Sequence, residues 1–298
     1  MFKNTMKTGI LLAGLGGLIV AVAGAVGGGS STSFVIGLLV AFVMVGGSYW
    51  FSDTLALKSA KARIVTRDQA PEFYDMIEGL SRRAGLPMPT VAISPNAQPN
   101  AFATGRNPGH AVVCATDGLL ETLTRDEVEG VMAHELMHVR HRDILIGSVA
   151  AAIATAISFI AQMTMFSSMF GGRDRRNNNM IGMFAVALLA PIAASVMQMA
   201  VSRSREFDAD RGAAELLGTG ESLARALEKI ERIAAERPMA VAPAQAQAYI
   251  HNPLAEARSG RGGPNMAKLF STHPSTDERI RRLRAMSSET ASGVLGEC

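Results

Sequence analysis

Four long apolar runs interrupt this chain: residues 10–26, 34–51, 144–170 and 180–202. Each is close to the roughly 20 residues a helix needs to cross a bilayer core. In the last two, Gln162 and Gln198 are the most polar side chains. The runs predict four membrane-spanning helices arranged as two hairpins. Lys3 and Lys7 ahead of the first run give it the make-up of a signal peptide. No convincing cleavage site follows, however, and a second run begins after the short turn 27–33, so the hairpin reads as retained.

Between and after these runs the periodicity changes. Pro71 opens a helix on which Phe73, Met76, Ile77 and Leu80 share a face, and Gly85 closes it. Short strand patterns follow at Thr90–Ser94, Ala101–Thr104 and His110–Cys114. Thr124 and Glu127 then form a capping box ahead of a helix from about Arg125 to Arg142, with Val128, Val131, Met132 and Leu136 as its apolar stripe. Residues 203–236 read as helical, with Leu223, Leu227, Ile230 and Ile233 on one face. Residues 237–268, rich in Ala, Pro, Gln and Gly, read as a loop or lid. A last helix starts at a Ser275–Glu278 capping box and runs through Ile280 and Leu283. The predicted organisation is a hairpin over 1–53, a cytoplasmic part over 54–143, a second hairpin over 144–202 and a second cytoplasmic part over 203–298. There is no internal repeat.

Charge orients this plan. Lys3 and Lys7 precede the first run, Lys58, Lys61, Arg63 and Arg67 follow the second, and the turn between them is uncharged. Basic flanks face the cytoplasm, so both ends of the hairpin are placed there. Arg140 and Arg142 before the third run agree, as do Arg203 and Arg205 after the fourth. Arg173, Arg175 and Arg176, between those two runs, dissent, and the reading keeps full crossing. At 48% hydrophobic and 18% charged, the 298-residue chain is too apolar for an ordinary soluble protein. The basic balance, +3 net with a pI near 9.1, clusters at membrane edges, where anionic headgroups account for it, and suggests no nucleic-acid partner. Two cysteines, Cys114 and Cys298, suit a reducing compartment without a disulfide framework. Nothing in the pattern specifies an oligomer.

One short motif carries chemistry: His134-Glu135-Leu136-Met137-His138. Positions i and i+4 of a helix share a face, so both imidazoles reach one metal ion, and the Glu beside the first falls next to an attacking water. A catalytic zinc site takes three protein ligands and keeps a fourth position open. A third His six residues beyond His138 is excluded, because Ile144 stands there, and His141 reads as a membrane-edge histidine. Topology offers another ligand. Six residues, about 9 Å of helix, separate His138 from the third run, and four or five, about 7 Å, separate the fourth run from Glu206. A hairpin leaving and returning at one membrane surface therefore brings Glu206 to the depth of His138, with Asp208 as its rival. Asp210, four residues on, shares the Glu206 face and is placed to accept a proton from a ligand histidine.

The pieces Asn100-Ala-Phe-Ala-Thr-Gly105, His134-Glu-x-x-His138, Ser204-Arg-Glu-Phe-x-Ala-Asp210 and Ser271-Thr-His-Pro274 stand in this order with the apolar runs around them. In this the chain resembles, over essentially its whole length, the HtpX-type membrane metalloproteases, a bacterial family related to the CaaX prenyl-protein proteases. The resemblance implies an integral membrane α-helical protein carrying a zincin-like (gluzincin) α+β catalytic domain. It implies one zinc ion on His134, His138 and Glu206, Glu135 as catalytic base and Asp210 as support. It makes Asn100, Ala101, Phe102, Ala103, Thr104 and Gly105 an edge strand along which substrate backbone pairs. It places His273 to donate to the developing oxyanion and Arg279 to orient His273 or the substrate. The stretch around Ala242–Ala248 matches no motif.

These readings converge on a zinc-dependent endopeptidase of the bacterial cytoplasmic membrane, with N-terminus and active site facing the cytoplasm. Its expected substrates are polypeptides, in particular cytoplasmic or unfolded segments of membrane proteins in quality control. A processing protease specific for one bond, like the prenyl proteases, shares every catalytic residue but belongs with more spans around a large chamber. A non-catalytic metal-binding scaffold has no use for Glu135.

Overall fold

The structure, a computed structural model, describes residues 30–144, 203–236 and 274–295, with residues 13, 14, 16, 17, 19 and 20. By its internal contacts the chain divides into two units, 1–52 with 146–200 and 53–145 with 201–298. The expected spans at 10–26 (but for those six residues), 144–170 and 180–202, and the loop 237–268, lie outside the described residues.

In the first unit, α1 (Ser31–Trp50) is a helix of 20 residues without a charged side chain. Phe34, Val35, Ile36, Leu38, Leu39, Phe42 and Val43 are all exposed on it, Phe42 at 79%. Over its described residues, no helix is long and apolar enough to cross a membrane; four positions within α1 (33, 44, 45 and 48) are among those whose side chains are not described.

The second unit is built on a four-stranded sheet of order β1-β2-β4-β3, formed by β1 (Arg63–Ile64), β2 (Thr90–Ser94), β3 (Ala101–Gly105) and β4 (Ala111–Thr116). β2 and β4 run parallel, with Ala92 opposite Cys114. β1 and β3 pair antiparallel on the outside, Ala103 opposite Val113. Both central strands are buried on both faces, which their unbroken apolar sequence requires. Leu57 of α2 (Ser52–Ser59), Ala62 and Phe102 pack on Ala92, Val112 and Cys114 on one face. The other face meets α3 (Pro71–Ala84) and α5 (Arg125–His141), with the short α4 (Asp117–Thr122) between β4 and α5.

This larger core runs from Phe73, Ile77 and Leu80 through Val91, Ile93 and Val113 to Val131, Met132 and Leu136. It continues into Leu223, Leu227 and Ile230 of α7 (Glu221–Glu236) and Ile280 and Leu283 of α8 (Thr276–Leu295). Each such fully buried aliphatic side chain stabilises the unit by about 1.5–3 kcal/mol. The apolar faces read from the sequence in α3, α5, α7 and α8 are the faces that meet here.

Besides adding β1, α2 and α4 and extending β4 to Thr116, the structure departs from the sequence reading in three places. The helix expected over 203–236 is two, α6 (Arg203–Leu217) and α7, because Gly218 turns left-handed at φ +78. His110 belongs to a short 3-10 turn, and its strand starts at Ala111. Strand β3 extends to Gly105, whose φ of +128 and contact with the His110 carbonyl leave no room for a Cβ.

Candidate metal centre and active site

Helix α5 presents the histidines because its first turn is tied down and its middle is buried. Thr124 and Glu127 complete the capping box read from the sequence, and Glu127 also meets Lys229 of α7 at 2.7 Å. With Val131, Met132, Leu136 and Met137 all fully buried, the helix cannot rotate, and His134 and His138 point to one side.

Their Nε2 atoms face each other 3.1 Å apart. Two imine lone pairs at that distance repel unless a proton or a metal cation lies between them. Glu206 closes the triangle from α6: Oε2 lies 3.7 Å from His134 Nε2, and Oε1 lies 3.7 Å from His138 Nε2. Zinc bonds of 2.0–2.1 Å at tetrahedral angles place ligand atoms about 3.3 Å apart, a spacing these three distances bracket. Among the described residues these three side chains form the group able to hold a metal ion. Asp208, the rival to Glu206, is exposed and pairs with Arg211 at 3.7 Å. His141 stands outside the cluster.

Each ring has a carboxylate behind it. His134 Nδ1 approaches Asp210 Oδ1 to 2.9 Å, off the straight line of a full hydrogen bond. Asp210 is gripped in turn by Arg279, whose Nε and Nη2 donate to its two oxygens at 2.9 and 2.7 Å. A third nitrogen of Arg279 lies 3.7 Å from Glu206. Burial pushes the Asp210 carboxyl up, but the Arg279 charge, the close approach of His134 and the two bonds from Arg279 outweigh it and hold it well below the usual range. His138 Nδ1 lies 3.4 Å from Asp143 Oδ2. Burial pushes the His138 imidazole down, yet Asp143, Glu206 and Glu135 together lift it to about 9. So many negative groups around two imidazoles favour a cation, and a bound metal satisfies the same field as that proton. The donor set fits a divalent ion of the zinc type.

Glu135 is buried at 6% exposure, and burial raises its carboxyl above the ordinary range. It accepts the amide of Ala103, which links the motif helix to the outer strand of the sheet. Strand β3 is anchored at its start by Asn100, whose amide donates to Thr116 Oγ1 at 2.9 Å and whose carbonyl accepts from Thr116. The structure thus brings together His134, Glu135, His138, Glu206, Asp210, Arg279 and the strand 101–105. His273 lies outside the described residues. Sequence reasoning missed Asp143 and Arg205. No spacing rule points to Asp143, because its position depends on Arg142 adopting the left-handed conformation without a glycine.

A helix carrying H-E-x-x-H, a carboxylate from a following helix close to both histidines and an outer strand beside the Glu are the arrangement of a metallopeptidase. The model of peptidase family M48 matches residues 67–287, and the chain belongs to that family. Curated relatives described as "Protease HtpX homolog" come from Ralstonia pickettii (strain 12J), Paraburkholderia phytofirmans (strain DSM 17436 / LMG 22146 / PsJN) and Burkholderia thailandensis (strain ATCC 700388 / DSM 13276 / CCUG 48851 / CIP 106301 / E264). Each is 50% identical over 288 residues, covering 95% of this chain and 96–97% of the relative. Among solved structures, that of S. mikatae Ste24p is similar in fold, with a TM-score of 0.50 and 20% identity. The match covers 95% of this chain but only 65% of that one.

Proposed function

We propose that this metalloprotease is a zinc endopeptidase working at the cytoplasmic surface of a bacterial membrane. His134, His138 and Glu206 hold the ion. The observation that carries this reading is the convergence of two Nε2 atoms and one carboxylate beside a buried, unligated Glu135. When bound, zinc lowers the pKa of a water toward about 7 and polarises the scissile carbonyl. Glu135 accepts the proton of the attacking water and passes it to the leaving amine. The peptide pairs along β3, the edge strand of the described sheet, and this sets its carbonyl beside Glu135. His273 donates to the oxyanion, and Arg279 acts from behind by holding Asp210 and Glu206 in place.

The four apolar runs and the exposed apolar side chains of α1, whose 20 residues extend about 30 Å, support the membrane setting. Backbone recognition selects weakly for sequence, which suits unfolded or cytoplasmic segments of membrane proteins and a role in their quality control.

The test compares the wild-type chain with Glu135→Gln, purified in detergent, stripped with chelator and reloaded with zinc. Both are expected to bind one ion, while cleavage of an unfolded membrane protein falls about 10²–10⁴-fold in the variant. Equal turnover by the two proteins removes Glu135 from the chemistry.

A further inference from the structure

The two histidines are supported from opposite sides, and the His138 side is built from residues that the reading above does not use. Helix α5 ends at His141. Arg142 turns left-handed at φ +60, and the Asp143 amide returns to the His138 carbonyl at 2.9 Å. Ile144, 4% exposed, packs with Val139 and Ala111 and seals the turn. Asp143 therefore holds residue 138 twice, by its amide at the backbone and by its carboxylate at the ring. Its other oxygen lies 3.9 Å from Arg205 Nη1, and Arg205 is buried immediately before the ligand Glu206. A buried carboxylate needs such partners to offset its lost hydration. The row Arg205–Asp143–His138 thus repeats Arg279–Asp210–His134, at longer distances.

We infer that Asp143, backed by Arg205, is a positioning residue for the metal centre: it holds the Nδ1 proton of His138 so that Nε2 faces the ion, and it ties that ring to the helix carrying Glu206. An imidazole offers a metal only the nitrogen that lacks a proton, so fixing the tautomer raises affinity. Asp143 is the last residue before the third apolar run, and Arg205 follows the fourth within a few residues. In the sequence the pair accordingly brackets the segment that carries these two runs.

The inference rests on His134, His138 and Glu206 holding the metal, and the experiment separates the two. Zinc affinity is measured by chelator competition, and the cobalt absorption spectrum recorded, for the full chain in detergent and its variants His138→Ala, Asp143→Ala, Asp143→Asn and Arg205→Ala. His138→Ala is expected to abolish tight binding; unchanged affinity there overturns the metal site itself. Asp143→Ala is expected to weaken zinc about 10-fold and to shift the cobalt bands, with Asp143→Asn in between because its amide oxygen still accepts from Nδ1. Arg205→Ala weakens zinc in the wild type and adds little to Asp143→Ala. If Asp143→Ala does not fold, Asp143→Asn and Arg205→Ala carry the test. Wild-type affinity and spectrum in every Asp143 and Arg205 variant that folds, with binding lost in His138→Ala, overturn the inference and leave a helix cap.

Discussion

The two histidines of one motif sit in different surroundings. His134 is 1% exposed, 2.9 Å from an aspartate that a doubly bonded, buried arginine holds rigid. His138 keeps 16% of its side chain exposed, with its aspartate at 3.4 Å and the arginine behind that at 3.9 Å. Sequence alone makes them equivalent, four residues apart on one helix face. The packing gives them separate tasks. The His134 row is closed by α6 and α8, whereas the His138 row stands at a helix end and is held over longer distances. On the proposed reading of the metal site, His134 fixes the position of the ion, and His138 and Glu206 complete its ligands.

Removing Arg279 breaks the fixed side most severely. Arg279→Ala leaves Asp210 buried at 1% exposure with no cation against it, a change of about 3–5 kcal/mol. The expected result is a fall of about 6–20 °C in the unfolding midpoint of the catalytic unit. Arg279→Lys recovers only part of this, since an ammonium cannot donate in parallel to both carboxylate oxygens. A midpoint within 2 °C of wild type for Arg279→Ala would remove the basis for calling this side rigid.

Asp210→Asn tests the same row with less damage, because the amide still accepts from His134 while the charge is lost. Its zinc affinity is expected to fall about 100-fold, toward the upper end for a partner of a ligand histidine, against about 10-fold or less for Asp143→Asn. Chelator competition on both variants under one set of conditions ranks them. Equal losses, or the larger loss at Asp143, reverse the comparison.

How much of this was legible in the sequence follows the same divide. The capping box, the apolar stripe of α5 and the cluster of His134, His138 and Glu206 are local patterns, or patterns joined by a countable hairpin, and the structure brings those residues together. Asp210 followed from its place one turn beyond Glu206. Asp143 did not, since its approach to His138 is made by a left-handed residue that no glycine announces. The pairing of Arg279 with Asp210 spans 69 positions and two helices, so proximity to the site was readable but the partner was not. The split of 203–236 at Gly218 was missed, although Gly218 and Gly220 mark it, because the apolar face was read from Leu223, Leu227 and Ile230, which all lie beyond the break. The assignment of chemistry to His273 still rests on its motif.

The smallest expected effect separates metal positioning from stability. Glu127, at the far end of α5, is as buried as the carboxylates of the centre, at 2% exposure, and likewise meets a cation, Lys229, at 2.7 Å. No ligand lies in front of it. Burial pushes its carboxyl up, but the bonds from Lys229 and Thr124 outweigh that and hold it below the usual glutamate range. A depressed native pKa means that the ionised form stabilises the fold above the ordinary range, and that this contribution disappears as the pH falls through the lower native value. Glu127→Gln is therefore expected to cost about 1–2 kcal/mol at pH 7, with the gap to wild type closing below about pH 4. Its zinc affinity at neutral pH is expected to match wild type. Denaturant unfolding across pH, alongside the chelator titration, reads both. Weakened zinc binding in Glu127→Gln would mean that any loosening of α5 reaches the metal, and the contrast between the two histidines would then reflect general packing and not the aspartates behind them.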